Sequence, residues 1–489
     1  MNSALVIIFI VAAFALFLGL RARRGHDMDL EQWTVGGRSF GTIFVFLLMA
    51  GEIYTTFTFL GGSGFAYGKG APAYYILAYG TLAYIISYWL LPPIWRYARD
   101  HHLVSQPHFF TKKYDSAALG LLVAIVGVIA LVPYLVLQFK GLGLIVSVAS
   151  YGSISSSVAV WIGAIVVTIY VMVSGVRGAA WNAVVKDFVI LAIVIFLGIY
   201  LPLHYYGGYE AMFNAIETAK PGFLAFPAKG SSVTWFQSTV LLTALGFFMW
   251  PHSFGSVFTA RDERIFRRNA IVLPLYQLIL LFVFFVGFAA TLQVPGLQGP
   301  DIDLSLLKLS IQTFDPWFVG VIGAAGVLTA LVPGSMILTS AATLLANDVY
   351  RSNANKGASD ADVTRLAQRL VPVIALVAVL FTLYGGTTIV ALLLMGYNFV
   401  TQLFPAVVMS LLKRNPVTKQ GAFCGILAGA IAVAAITLSK STLGGLFPFL
   451  PDTLQDLNVG MVALLVNIAI TAVVSAVTQP HLAGASSRA

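Results

Sequence analysis

Apolar runs of about 20 residues recur along nearly the whole chain, each long enough to cross a bilayer as a helix. They fall at about 3–20, 40–66, 72–94, 116–147, 156–175, 185–203, 234–258, 270–292, 315–346, 369–384, 388–412, 420–438 and 458–478. They predict about thirteen transmembrane helices. Only 10% of the 489 residues are charged and 59% are hydrophobic, whereas soluble domains carry about 25% charged residues. The expected fold class is all-α: a polytopic membrane protein, surrounded by lipid bilayer, with one transmembrane domain filling residues 1–489. No stretch reads as a separate soluble domain.

The net charge of +9 would suit nucleic acid, but its distribution points elsewhere. Arg21, Arg23, Arg24 and Arg38 follow the first run. Arg96, Arg99, Lys112 and Lys113 come next, then Arg177 and Lys186, then Arg261, Arg264, Arg267 and Arg268. Arg351, Lys356, Arg365 and Arg369 follow, with Lys413, Arg414, Lys419 and finally Arg488. All of these fall on one side of the alternating pattern. The other side holds only Lys69, Lys220, Lys229, Lys308 and Lys440, while Lys140 lies within a run. The positive-inside rule then places the N-terminus outside and the C-terminus in the cytoplasm, as in a bacterial inner (plasma) membrane. The charge is a topology signal, and no nucleic-acid or obligate protein partner is implied. The run from Ala4 to Leu20 has its arginines after it rather than before it, so it reads as a retained extra helix and not a signal peptide. A single cysteine, Cys424, excludes an intramolecular disulfide and a Cys-rich metal site.

Within 40–66 lies an acid, Glu52, followed by Tyr54, Thr55, Thr58 and the run Gly61-Gly62-Ser63-Gly64. A charged side chain at bilayer depth costs about 2.5–3.5 kcal/mol on insertion scales, so it persists only if paired, protonated or facing a polar cavity. Gly51 and the later glycines weaken the helix around it. Much further along, Gly246 and Trp250-Pro251-His252-Ser253 interrupt a second run. The charge pattern starts five spans over 40–203 from one side of the membrane and five over 234–412 from the other, with two more helices over 420–478. Inverted five-helix repeats with interrupted helices at matching ranks are a transporter architecture, and the interruptions mark the binding site. Glu52, with Gly51, Tyr54, Thr55 and Thr58, and Trp250, Pro251, His252 and Ser253 are therefore the expected substrate and ion pathway. A structural role for Glu52, bonded to nearby hydroxyls, is the plainer alternative. Lys140 sits about 35 Å along its helix at 1.5 Å per residue. It either snorkels at the outer interface or partners a substrate carboxylate or Glu52.

Several motifs in order resemble the solute:sodium symporter family. Trp33-Thr34-Val35-Gly36-Gly37-Arg38-Ser39-Phe40-Gly41 is similar to its opening motif. Ser105-Gln106-Pro107-His108-Phe109-Phe110 is similar to its LPDF turn, with His108 in place of Asp. Ser174-Gly175-Val176-Arg177-Gly178-Ala179-Ala180-Trp181-Asn182 resembles a third motif, and Asn347-Asp348-Val349-Tyr350 a fourth. The variants at Gly51-Glu52 and Pro251-His252-Ser253 look most like the monocarboxylate permease branch. The resemblance implies a leucine-transporter-like fold and a secondary active symporter. It would import a small organic solute, of which a monocarboxylate is the leading class, with Na⁺ or H⁺ as coupling ion.

One departure bears on that ion. Sodium-driven members carry two adjacent hydroxyl residues where this chain has Val332 and Pro333. Sodium needs hard oxygen ligands, which neither side chain supplies. A sodium site near Gly51 and Tyr54 would have to draw on Ser335, Thr339 or Ser340, and Glu52 becomes a candidate proton carrier. Rival readings are a carrier for an amino acid, sugar or vitamin, a channel, or a non-transporting sensor. A sensor would be expected to append a soluble domain, and the sequence reaches Ala489 soon after the last run. No catalytic triad, phosphate loop or metal cluster supports an enzyme or a resident cofactor.

Overall fold

The computed structural model describes residues 2–23, 30–439 and 442–479. Arg24, Lys440 and Arg488 lie outside the described residues, as do the side chains of Arg23 and of residues 173–177, which include Ser174 and Arg177. The described chain is helical, and its one isolated bridge joins Phe40 to Ala260. Helices begin where hydroxyl side chains can cap them. Ser116, Ser155, Ser232, Ser359, Thr388 and Thr418 each accept a hydrogen bond from the backbone three residues on, and such caps are worth about 1 kcal/mol each.

Among the described residues, ten helices are long and apolar enough to cross a membrane, or up to eleven with the bent pair Val233–Met249 and Pro251–Val257 taken as one span. The thirteen expected runs exceed this because two of them do not stand as separate long spans: the 40–66 run begins with the short helix Thr42–Gly51, and the 156–175 run is part of a longer helix. The first is short because its helix unwinds after Gly51. The second belongs to a helical stretch, Ser156–Tyr206, that continues for 51 residues. At 1.5 Å per residue this is roughly 75 Å, more than twice a hydrocarbon core of about 30 Å. It therefore holds both the 156–175 and the 185–203 runs.

The two interrupted helices expected from the sequence are both broken. Thr42–Gly51 gives way at 52–56 to a wider-wound segment, Phe57–Gly62, and then to Ser63–Lys69. In the second, Val233–Gly246 tightens over Phe247–Met249, Trp250 is extended at φ −62° and ψ 134°, and Pro251–Val257 restarts at 57° to the first half. Pro251 suits that restart, because a first-turn residue needs no N–H. A backbone bridge ties the start of one broken helix to the end of the other: Phe40 N donates to Thr259 O at 3.0 Å and Arg261 N to Phe40 O at 3.1 Å. Behind them runs Pro316–Thr343, almost entirely buried against Ser3–Arg23, Ala117–Ala149 and Ser156–Tyr206.

Candidate functional site

Unwinding a helix inside a membrane strands backbone carbonyls that no water can reach, and each must find a partner. Here side chains supply them. The Tyr84 hydroxyl donates to Met49 O. Thr58 Oγ1 donates to Ile53 O at 2.8 Å, and the Tyr134 hydroxyl to Glu52 O at 3.4 Å. Lys186 Nζ donates to two carbonyls, Gly51 O at 3.2 Å and Tyr54 O at 3.1 Å. At the second break, Gln106 Nε2 donates to Met249 O at 2.8 Å. Both interruptions are thus built and stabilised by surrounding helices.

The two breaks face one another. Ser253 Oγ donates to Glu52 Oε2 at 2.8 Å, and His252 Nε2 lies 2.9 Å from the same oxygen. His252 and Ser253 are buried, the Glu52 side chain is 6% exposed, and Glu52 Oε1 has no hydrogen-bond partner among the described residues. An unpaired buried carboxyl oxygen is costly. Aromatic rings cover one end of the centre: Trp250 lies 4.8 Å from Tyr134 and 5.2 Å from Tyr397 between ring centroids, and Tyr397 lies 5.7 Å from Tyr79.

That roof depends on a glycine. A Cβ at Gly396 would lie 2.3 Å from the Trp250 ring and 3.0 Å from Ala130 O. Gly396→Ala is expected to push Trp250 from its seat at a cost of about 1–3 kcal/mol, typical of overpacking. The check is a lower unfolding temperature of the purified variant, together with weaker solute uptake. An unchanged unfolding temperature would show that the roof gives way freely.

At the other end, Thr34, Ser105, Gln106, Ser256, Thr259, Thr339, Ser340 and Thr343 line a cleft that reaches Pro251 and His252. Its volume is about 40 Å³, room for a water or two but not an organic solute.

Of the residues anticipated from sequence, Gly51, Glu52, His252 and Ser253 converge here, with Trp250 and Pro251 beside them, while the Tyr54 hydroxyl donates to Tyr276 O at 3.2 Å. Thr55 and Thr58 bond within the break itself. Lys140 does not join them. Its Nζ lies 2.6 Å from Asp303 Oδ2 and donates to Thr387 O at 2.8 Å. It is neither snorkelling nor paired with Glu52. Ser335 turns back onto Val332 O at 2.6 Å. Thr339 and Ser340 line the cleft rather than the carbonyls of Gly51 and Tyr54. The residues of Pro316–Thr343 that line a small cavity with Gly51 and Glu52 are Val332, Pro333 and Met336, which carry no hydroxyl.

Lys186 and Asp303 are the residues that sequence reasoning missed. Lys186 was expected in a charged inner loop, but it lies fully buried inside Ser156–Tyr206. The available signal was an adjacent Lys-Asp pair, Lys186-Asp187, at the edge of an apolar run.

Residues 33–429 match the sodium:solute symporter family. The chain belongs to the sodium:solute symporter family. The symporter is 65% identical to the uncharacterized symporter YhjB of Bacillus subtilis, over all of both chains. It is 29% identical to a monocarboxylate transport permease of Rhizobium johnstonii, over 97% of this chain and 96% of that one. A Na⁺-coupled sialic acid symporter, solved substrate-bound and outward-open, shares the fold at a TM-score of 0.79 and 15% identity, over 98% of each chain. The symporter is accordingly an integral membrane protein of leucine-transporter-like fold. Two of its family motifs meet directly, since Ser105 Oγ donates to Asp348 Oδ1 at 2.7 Å. His108, in place of the family's Asp, is held down to about 4 by burial and by the charges of Lys112, Arg351 and His101. It is neutral at physiological pH and carries no charge for the cleft.

Proposed function

We propose that this symporter imports a small organic anion, a monocarboxylate, and that Glu52, His252 and Ser253 form the centre where solute and coupling ion meet. The observation that carries this reading is the convergence of two broken helices on one buried acid with an unpaired oxygen. The coupling ion is Na⁺ or H⁺. Residues 40–203 and 234–412 form the inverted repeats, with 3–20 and 420–478 as additions outside them. In this orientation the N-terminus is outside, the C-terminus is cytoplasmic, and the hydroxyl-lined cleft leads to the cytoplasm. Alternating access would open first one end of the centre and then the other.

An anionic solute and an acid in one site form a linkage. Two unit negative charges 4 Å apart repel by about 4 kcal/mol at an effective dielectric of 20. An ionised Glu52 would therefore weaken carboxylate binding by about a thousandfold. A proton on Glu52 or on His252 removes much of that penalty, so proton and anion favour each other's binding. The test is uptake into proteoliposomes with labelled lactate, pyruvate and propionate, neutral sugars and amino acids, under separately imposed Na⁺ and H⁺ gradients. Saturable uptake of a monocarboxylate is expected. Saturable uptake of a neutral sugar, with none of the three acids, overturns the substrate assignment.

A further inference from the structure

We infer that Lys186 is a tethered cation that fills the sodium position at the first broken helix, so that this member of the sodium family runs without sodium. The inference rests on the symporter reading above and specifies its ion.

The geometry is that of a cation site. Lys186 Nζ has three oxygens around it: Gly51 O at 3.2 Å, Tyr54 O at 3.1 Å and Asp187 Oδ1 at 3.0 Å. An ammonium group has three N–H donors and no acceptor, which matches this set. The two carbonyls are those exposed by the break, and the same hard oxygens would suit a sodium ion. The side chain is fully buried, so the charge is not a surface lysine that happens to reach inward. Space has been kept for it: a Cβ at Gly51 would lie 2.9 Å from Lys186 Nζ.

The opposite wall agrees. Where sodium-driven relatives are expected to offer paired hydroxyls, this chain presents Val332 and Pro333. A second cation placed beside the ammonium would meet its repulsion and find no side-chain oxygens from that wall. The lysine bonded to Gly51 O and the hydroxyl-free Val332 and Pro333 beside Gly51 are two separate features, and both disfavour sodium. Asp187 neutralises whichever cation is present, so its presence suits the tethered charge as well as a free one. Lys186 is thus the positioning residue that holds the unwound segment in shape, a task a bound sodium ion would otherwise perform.

The site should reappear when the amine is removed. In Lys186→Ala the two carbonyls and Asp187 remain without their partner, and sodium can enter. Thermal unfolding of purified parent and variant, with Na⁺ replaced by K⁺ or choline at equal ionic strength, reads this directly. The parent is expected to be indifferent to the swap, while Lys186→Ala gains a rise of a few degrees in Na⁺ through ligand linkage. A folded Lys186→Ala with no gain, or a parent stabilised by Na⁺ to the same extent, overturns the inference. Two measurements on the parent alone hold if the variant does not fold. Specific binding of radiolabelled Na⁺ to the purified parent overturns the inference, and its absence supports it. Solute accumulation driven by a Na⁺ gradient at matched pH also overturns it. A parent that moves no solute under any gradient counts against the symporter reading instead, and the Na⁺-binding measurement still decides this one.

Discussion

Glu52→Gln is expected to lose accumulation of solute against a gradient while still exchanging labelled for unlabelled solute across the membrane. The substitution preserves shape: a glutamine can still accept from Ser253 Oγ, which reaches Glu52 Oε2 at 2.8 Å. What it removes is a titratable charge at the point where the two breaks meet. Exchange needs only a site that binds solute and alternates. Accumulation needs the ion gradient to bias that alternation, and the bias comes from the linkage between a proton on the acid and an anion beside it. With the acid gone, solute binding should lose its preference for low pH, and the roughly thousandfold penalty expected from an ionised neighbour should vanish. The variant should therefore bind at neutral pH at least as well as the parent. The measurement is uptake and counterflow in proteoliposomes across a range of pH. Accumulation at the parent's level would make Glu52 a structural acid that holds His252 and Ser253 in place.

Much of this architecture was legible in the sequence because membrane constraints act locally. A run of about 20 apolar residues must become a helix whatever packs against it. An acid in such a run, or a proline before a histidine, announces a special site in the same local way. Both breaks, and the meeting of Glu52 with the Pro251-His252-Ser253 segment, were thus within reach. The partners of Lys186 and Lys140 were not. Lys186 reads as a loop charge because residues 173–186 mix polar and small residues between two apolar runs. Helical hydrogen bonding instead continues through this stretch and turns the lysine inward, onto carbonyls more than 130 residues earlier in the chain. Nothing in local pattern encodes that distance. Counting residues places Lys140 along its helix, but its partner Asp303 lies in a connection between spans, which composition would assign to solvent.

Lys140→Ala is expected to destabilise the fold by about 3–5 kcal/mol, the usual cost of stranding one member of a buried ion pair. Asp303 is the stranded member: its side chain is 1% exposed, against 17% for Lys140. Its Oδ2 accepts both from Lys140 and from Ile389 N at 3.0 Å, while Lys140 Nζ also reaches Thr387 O. One carboxylate and one ammonium therefore pin the segment Gly299–Leu304 to two helices at once, Ala117–Ala149 and the start of Ile389–Val400. Without the lysine, the carboxylate keeps a backbone donor but loses its countercharge in a place water does not reach. The pair is not the most stable filling for that space, because burying both charges was itself expensive. The double variant Lys140→Met with Asp303→Asn removes both charges, keeps an acceptor for Ile389 N, and should recover most of the loss. The unfolding temperatures of the parent, the two single variants and the double variant form a cycle that isolates the pair. Equal unfolding temperatures for the parent and Lys140→Ala would mean that the ammonium contributes nothing to holding the segment Gly299–Leu304 in place.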